Sequence, residues 1–267
     1  MAPAQAGVGT WIDPLARFGF AARALVYMLV GVLAAEAALG LRRKAADPRG
    51  ALREMGRPSF GPVLLLVVGL GLLAYAVWRF TQAFLDLDGK GRSLKGLLTR
   101  GSFLASGLVH AGLALTAGSV AVGLRRGHSD FVREWVARLM HEPYGRWLVA
   151  AVGLGVMATA AYQLYKAYAV IFERQLRLAR MSAAQRRWAR RILRAGLAAR
   201  GVTFGVIGWF LLRAGLDMDP REARGMGQAL RLLERQQHGE WLLGAVALGL
   251  TAYGLLSLLD ARYRRIT

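Results

Sequence analysis

Apolar residues run along this chain in six blocks, at roughly 20–41, 62–85, 102–124, 147–171, 195–216 and 240–260, with polar stretches between them. Each block holds about 20 residues or more, and at about 1.5 Å per helical residue that is about 30 Å, the thickness of a hydrocarbon layer. None of the blocks is rich in β-branched residues at alternating positions, so the pattern argues against a barrel and predicts transmembrane helices. The polar stretches carry a second, shorter pattern. Phe131, Trp135 and Leu139, interleaved with Arg133, Glu134 and Arg138, predict an amphipathic helix lying on the membrane interface. Leu230 and Leu233 among Arg231, Glu234 and Arg235 repeat it, and Ala51, Leu52 and Met55 do so more faintly.

The blocks are related in pairs. Leu15–Gly31 (LARFGFAARALVYMLVG) returns at Ile192–Gly208 (ILRAGLAARGVTFGVIG), with Arg17, Gly19, Arg23, Tyr27 and Gly31 matched by Arg194, Gly196, Arg200, Phe204 and Gly208. A weaker copy puts Arg100, Ser106 and His110 at the positions of Arg17, Arg23 and Tyr27. The second helices match as well: Gly69–Ala83, Gly153–Ala167 and Ala247–Ala261. Phe60-Gly61, Tyr144-Gly145 and His238-Gly239 precede them. Three copies of one unit define repeats 15–86, 97–171 and 192–261 within a single membrane domain, 1–267, with a basic linker at 172–194. A unit that crosses twice leaves its copies parallel, unlike inverted transporter repeats. The predicted fold is an all-α integral membrane protein of six transmembrane helices, three parallel two-helix repeats with pseudo-threefold symmetry.

Small residues at Ala34–Gly40 make the first block resemble a signal peptide. Its run is longer than a signal's apolar region and its copy lies deep in the chain, so it is read as a retained helix. Met181–Gly196, with Ser182 and Gln185 at capping-box spacing, is read as a basic helix running into the fifth span.

The chain is 55% hydrophobic with a mean hydropathy of +0.34 and a formal net charge of +20. Because the apolar blocks are nearly uncharged, the cations lie at their ends, which favours anionic lipid over nucleic acid as partner. The side bearing the N-terminus has 20 Lys and Arg with five acids, and the other side 16 with ten. That asymmetry, led by the eight arginines of 172–194, places both termini in the cytoplasm and the protein in a bacterial inner membrane. The absence of cysteine excludes disulfides, thiolate metal sites and a cysteine nucleophile.

Four cations stand within helices near the N-terminal side: Arg23, Arg79, Lys166 and Arg200. Arg23 and Arg200, about one turn inside their apolar runs, are read as snorkelling anchors at the inner interface, with a specific anion site as the sharper alternative. Glu36 is the carboxylate set well inside a block; its counterparts are Ser119 and Arg213, and a Glu36–Arg213 ion pair near the outer leaflet is predicted. His110 is read as a packed histidine rather than a proton relay, since no acid is placed beside it. Tyr75, Trp78, Tyr162, Tyr165 and Trp188 form an expected aromatic belt. His128, His141 and His238 lack metal-site spacing, and no GxSxG, paired acids or phosphate loop is present, so neither cofactor nor catalytic role is expected.

The RxGxxxRxxxYxxxG start, Gly50-Ala51-Leu52 in the following loop and the GLGLLAYAVW second helix together resemble a bacterial membrane family known only as domain of unknown function 1206. That resemblance covers about Leu15 to Ala261 and implies three tandem two-helix units; the second copy departs from it at Ser106 and His110. It implies no activity. The reading is a non-catalytic structural or lipid-interacting membrane module, with a small-solute or ion transporter using His110, Glu36, Arg213 and Lys166 as the alternative.

Overall fold

The computed structural model describes residues 3–42, 45–124, 131–169 and 183–263, and among these it is all helical. Six helices are long and apolar enough to cross a membrane: α1 (Pro3–Ala38), α3 (Gly61–Leu85), α4 (Leu94–Ala121), α6 (Gly145–Ala169), α7 (Ala183–Asp217) and α9 (Gly239–Tyr263). Three short helices, α2 (Pro48–Met55), α5 (Phe131–Met140) and α8 (Met226–Glu234), fall on the three patterned loops. Residues 172–182 of the linker at 172–194, with Ser182 of the capping box, and also His128 lie outside the described residues.

The first helix of each pair starts earlier than its apolar block. The apolar windows begin at Trp11, Gly96 and Arg190, and α1 and α7 extend further still. Pro14 consequently sits inside α1. Helix continues through polar sequence there because Arg17, Arg100 and Arg194 find acceptors on neighbouring helices. Each short helix then hands over to the second span in the same way. A Cβ on Gly61, Gly145 or Gly239 would collide with the carbonyl of Met55, Leu139 or Glu234 respectively, so glycine at each start lets the chain double back tightly. α2 is capped by Asp47, whose carboxylate accepts from the Gly50 amide at 2.7 Å, and it buries Ala51, Leu52 and Met55 against the spans.

Side by side, the spans touch in the order α4, α3, α1, α9, α7, α6. Contacts between successive repeats are all made: α3 with α4, α6 with α7, and α9 with α1. Within a repeat, α1 packs on α3 and α7 on α9, but α4 and α6 make no comparable contact and are the least buried spans. The seam inside the middle repeat is open, a departure from threefold equivalence.

Small residues explain which seams close. A Cβ on Gly71 would run into the Ala22 methyl, and one on Gly249 into that of Ala199, so α1–α3 and α7–α9 approach through matched glycine and alanine. The corresponding pair in the middle repeat is Gly155 and Ala105. Ala105 is exposed, and nothing lies within 4 Å of the Cβ position at Gly155.

Candidate functional site

Where α1, α3 and α9 meet, the chain buries a charged cluster. Arg23 is only 4% exposed. It lies six residues, about 9 Å of helix, deeper than Arg17, which reaches the Ala261 and Arg262 carbonyls of α9. This corrects the snorkelling anchor: the side chain is held inside the bundle. Its Nη1 donates to the Tyr75 hydroxyl, while Nε and Nη2 donate to Ser257 Oγ at 3.2 and 3.0 Å. Asp260 faces it at 3.6 Å. Aromatic rings complete the shell, with the guanidinium carbon 4.7 Å from the Tyr75 centroid, 4.9 Å from Phe20 and 5.4 Å from Tyr253. A guanidinium removed from water needs both charge and hydrogen-bond compensation, and this cage supplies them from two other helices.

Arg79 joins from α3. It donates to the Tyr75 hydroxyl from Nε (2.9 Å) and Nη2 (2.6 Å) and to Gln82 Oε1 (3.0 Å), so one phenol serves two arginines. His110 is buried, packs on Tyr75 with centroids 4.5 Å apart and the rings tilted by 51°, and has Nδ1 2.7 Å from the Ser106 carbonyl of its own helix. Tyr75 and Trp78 are almost wholly buried against Ile12, Ala16 and Phe20, whereas Tyr162, Tyr165 and Trp188 are exposed. The first two therefore belong to the core rather than to an aromatic belt.

Arg200 repeats part of this arrangement. Its Nη1 donates to the Tyr253 hydroxyl as Arg23 does to Tyr75, and its guanidinium carbon lies 4.7 Å from the Tyr253 centroid and 4.6 Å from Phe204. Like Arg23, it is turned into the bundle, about 9 Å deeper than Arg194, and not outward to headgroups. Its Nε, however, is buried without an acceptor, and among the described residues no carboxylate lies within ion-pair distance. Lys166 sits over the Tyr162 ring at 5.2 Å.

Glu36 and Arg213 are not partners. Glu36 faces Arg42 at 3.9 Å, and Arg42 in turn pairs with Glu54 of α2. Arg213 binds Asp217, one turn along its own helix, at 3.1 Å. α9 packs against both α1 and α7, and each charge is satisfied close by in sequence, which orders less chain than a pairing across the bundle. Ser119, the third member, donates to the Leu115 carbonyl at 2.8 Å.

Ser257 and Asp260 are not among the candidates that the sequence singles out, although it carries a signal for them. The second helices carry a polar pair three residues apart at one register, namely Arg79/Gln82, Gln163/Lys166 and Ser257/Asp260. Such spacing puts both members on one face. Among the described residues no group of three or more His, Asp or Glu could hold a metal ion. A cavity of about 240 Å³ at the loop ends of α6 and α7 is lined by Ala137, Met140, His141, Arg146, Met218 and Pro220, and there Arg146 donates to the Met218 sulfur at 3.1 Å.

Fold and cluster together define a multi-span helical membrane protein built from tandem two-helix repeats that are stitched by arginine. The model of a Domain of Unknown Function, DUF1206, matches residues 18–86, 101–169 and 195–264, and the chain belongs to that family. It is 33% identical over 257 residues to the uncharacterized protein YxxB of Bacillus subtilis (strain 168), a match covering 96% of this chain and 93% of that protein. No solved structure matches it.

Proposed function

We propose that this protein is a non-catalytic membrane module that engages anionic lipid through a basic cytoplasmic face. The observation that carries the reading is the start of α7. This helix begins at Ala183, ahead of its apolar window, and displays Arg187, Trp188, Arg190 and Arg191 as exposed side chains, with Arg191 over the Trp188 ring at 5.6 Å. Arginines flanking an exposed tryptophan suit the headgroup layer of an anionic leaflet, where each cation contributes about 1 kcal/mol. Vesicles containing anionic lipid should stabilise the protein more than neutral vesicles at low salt, and the triple variant R187Q/R190Q/R191Q should lose most of that difference. Equal behaviour in both vesicle types would remove the reading.

A second reading, a small-solute or ion pathway, draws on the charged cluster of Arg23, Arg79 and Asp260 inside the bundle. Ion or proton flux in proteoliposomes that is abolished by D260N without loss of folded protein would favour it over the lipid module.

A further inference from the structure

The first and third repeats place the same arginine between two second helices. Arg23 reaches Tyr75 on the helix that follows it and Ser257 and Asp260 on the helix that precedes it around the bundle. Arg200 reaches Tyr253 on the helix that follows it. The helix packed on its other side is α6, where the residues in register with Ser257 and Asp260 are Gln163 and Lys166. Lysine thus stands where the sister site has its carboxylate. Gln163 is only 6% exposed, and neither atom of its amide has a partner; Arg200 Nε is likewise buried without an acceptor. Buried donors without acceptors cost about 1–3 kcal/mol each, more when charged, so this site as built calls for an acceptor that brings negative charge.

The middle repeat provides the way in. At the positions of the Arg23–Tyr75 and Arg200–Tyr253 clamps it has Ser106 and Thr159, side chains too short to bridge two helices. The α4–α6 seam stays open there, with Ala105 and Gly155 unfilled along it. An open seam on the membrane side, level with Arg200 and so about 9 Å of helix below Arg194, would admit one lipid lying with its acyl chains along it.

We propose that Arg200, Gln163 and Lys166 bind the phosphate of one anionic lipid, whose phosphate takes the place that Asp260 holds toward Arg23, and that the lipid enters through the open α4–α6 seam. This rests on the reading that the protein engages anionic lipid, and it moves the specific contact from the exposed α7 start to a built site between helices.

The test uses the full-length protein in nonionic detergent. Thermal midpoints are followed with added phosphatidylglycerol, phosphatidylcholine or inorganic phosphate, and retained lipid is counted by native mass spectrometry. The wild type should keep one phosphatidylglycerol and gain several degrees from it, with little from phosphatidylcholine or inorganic phosphate. K166D, which restores the carboxylate of the sister site, should be more stable than the wild type without lipid, lose the retained lipid and lose the shift. A105F, which fills the seam without touching the cations, should lose the lipid as well. R187Q/R190Q/R191Q should keep the single lipid while its vesicle preference falls at least fivefold.

If K166D and A105F both retain the lipid, the site is wrong, and the lipid-module reading then stands or falls on the triple variant alone. If K166D does not fold, an unchanged response in A105F overturns the site. Equal stabilisation by inorganic phosphate overturns the lipid as occupant. No preference for phosphatidylglycerol in either detergent or vesicles overturns both proposals.

Discussion

Arg17 Nη1 donates to the carbonyl of Ala261 at 2.7 Å and to that of Arg262 at 2.9 Å, tying the first span to the last. The bond is one of three. Arg100 donates to Ala83 and Phe84 (2.7 and 3.2 Å), and Arg194 to Ala167 and Tyr168 (3.1 and 3.0 Å). In each case the first arginine of a repeat supplies donors to carbonyls of the neighbouring second helix, and those of Ala83 and Phe84 lie in the last turn of α3 without a partner in that helix. A guanidinium suits the task because it forks to two acceptors and places positive charge at the negative end of the helix dipole.

Replacing any of these arginines by glutamine should therefore loosen the bundle. R17Q, R100Q and R194Q are each expected to lose about 1–3 kcal/mol of unfolding free energy, measured by denaturant titration in micelles. Lysine at the same positions should recover only part of that, since an ammonium does not fork. Full stability in R17K would contradict the paired-carbonyl role.

Within the cluster, the Tyr75 hydroxyl accepts from both Arg23 and Arg79, whereas that of Tyr253 accepts from Arg200. Y75F is expected to cost about 2–3 kcal/mol and Y253F less, about 1–2 kcal/mol. D260N leaves Arg23 buried without its carboxylate and should cost about 3 kcal/mol. The same unfolding measurement orders the three, and a harmless D260N would show that Arg23 draws its compensation elsewhere.

The seams make opposite demands on equivalent glycines. G249L should disrupt α7–α9 packing by more than about 3 kcal/mol, because its side chain must displace Ala199. G155L meets open space and should change stability by less than about 0.5 kcal/mol in lipid-free detergent. Thermal midpoints of the two variants check this directly.

Asp86 ends α3 in the left-handed region, at φ 47°, and its carboxylate accepts from the amides of Gly91 and Lys90, both at 2.7 Å. Those two bonds hold its pKa below the ordinary carboxylate value. A depressed folded-state pKa contributes stability that is complete above the unfolded value, about 3.9, and is lost as pH falls through the folded one. The stability difference between wild type and D86A should accordingly be constant above about pH 5 and vanish in stronger acid. A difference that grows on acidification would contradict the assignment.

The residues also show how far sequence reading reaches. The six spans, the three short helices and the threefold recurrence of Arg17, Arg100 and Arg194 were all legible, since apolar run length and period act over a few turns of one helix. The recurrence was visible, but its meaning was not, because the acceptors are backbone carbonyls, which carry no sequence signature. The Glu36–Arg213 prediction failed for a related reason. Repeat arithmetic gives depth in the bundle but not helix rotation, and partners close by in sequence were available to each charge, Arg42 just past the end of α1 and Asp217 one turn along α7.

Sequence by itself determined that this chain makes six apolar helices in three tandem pairs, because burying that much apolar surface along uninterrupted runs leaves the backbone no other way to satisfy its hydrogen bonds in lipid. Only the tertiary structure decided that Arg23 faces Tyr75, Ser257 and Asp260 in the interior, and that the α4–α6 seam stays open while its two counterparts close. Those outcomes depend on the rotation of each helix about its axis and on contacts between residues more than 200 positions apart, as between Arg23 and Ser257. Close packing of small residues sets that rotation, and it exists only once the helices have met.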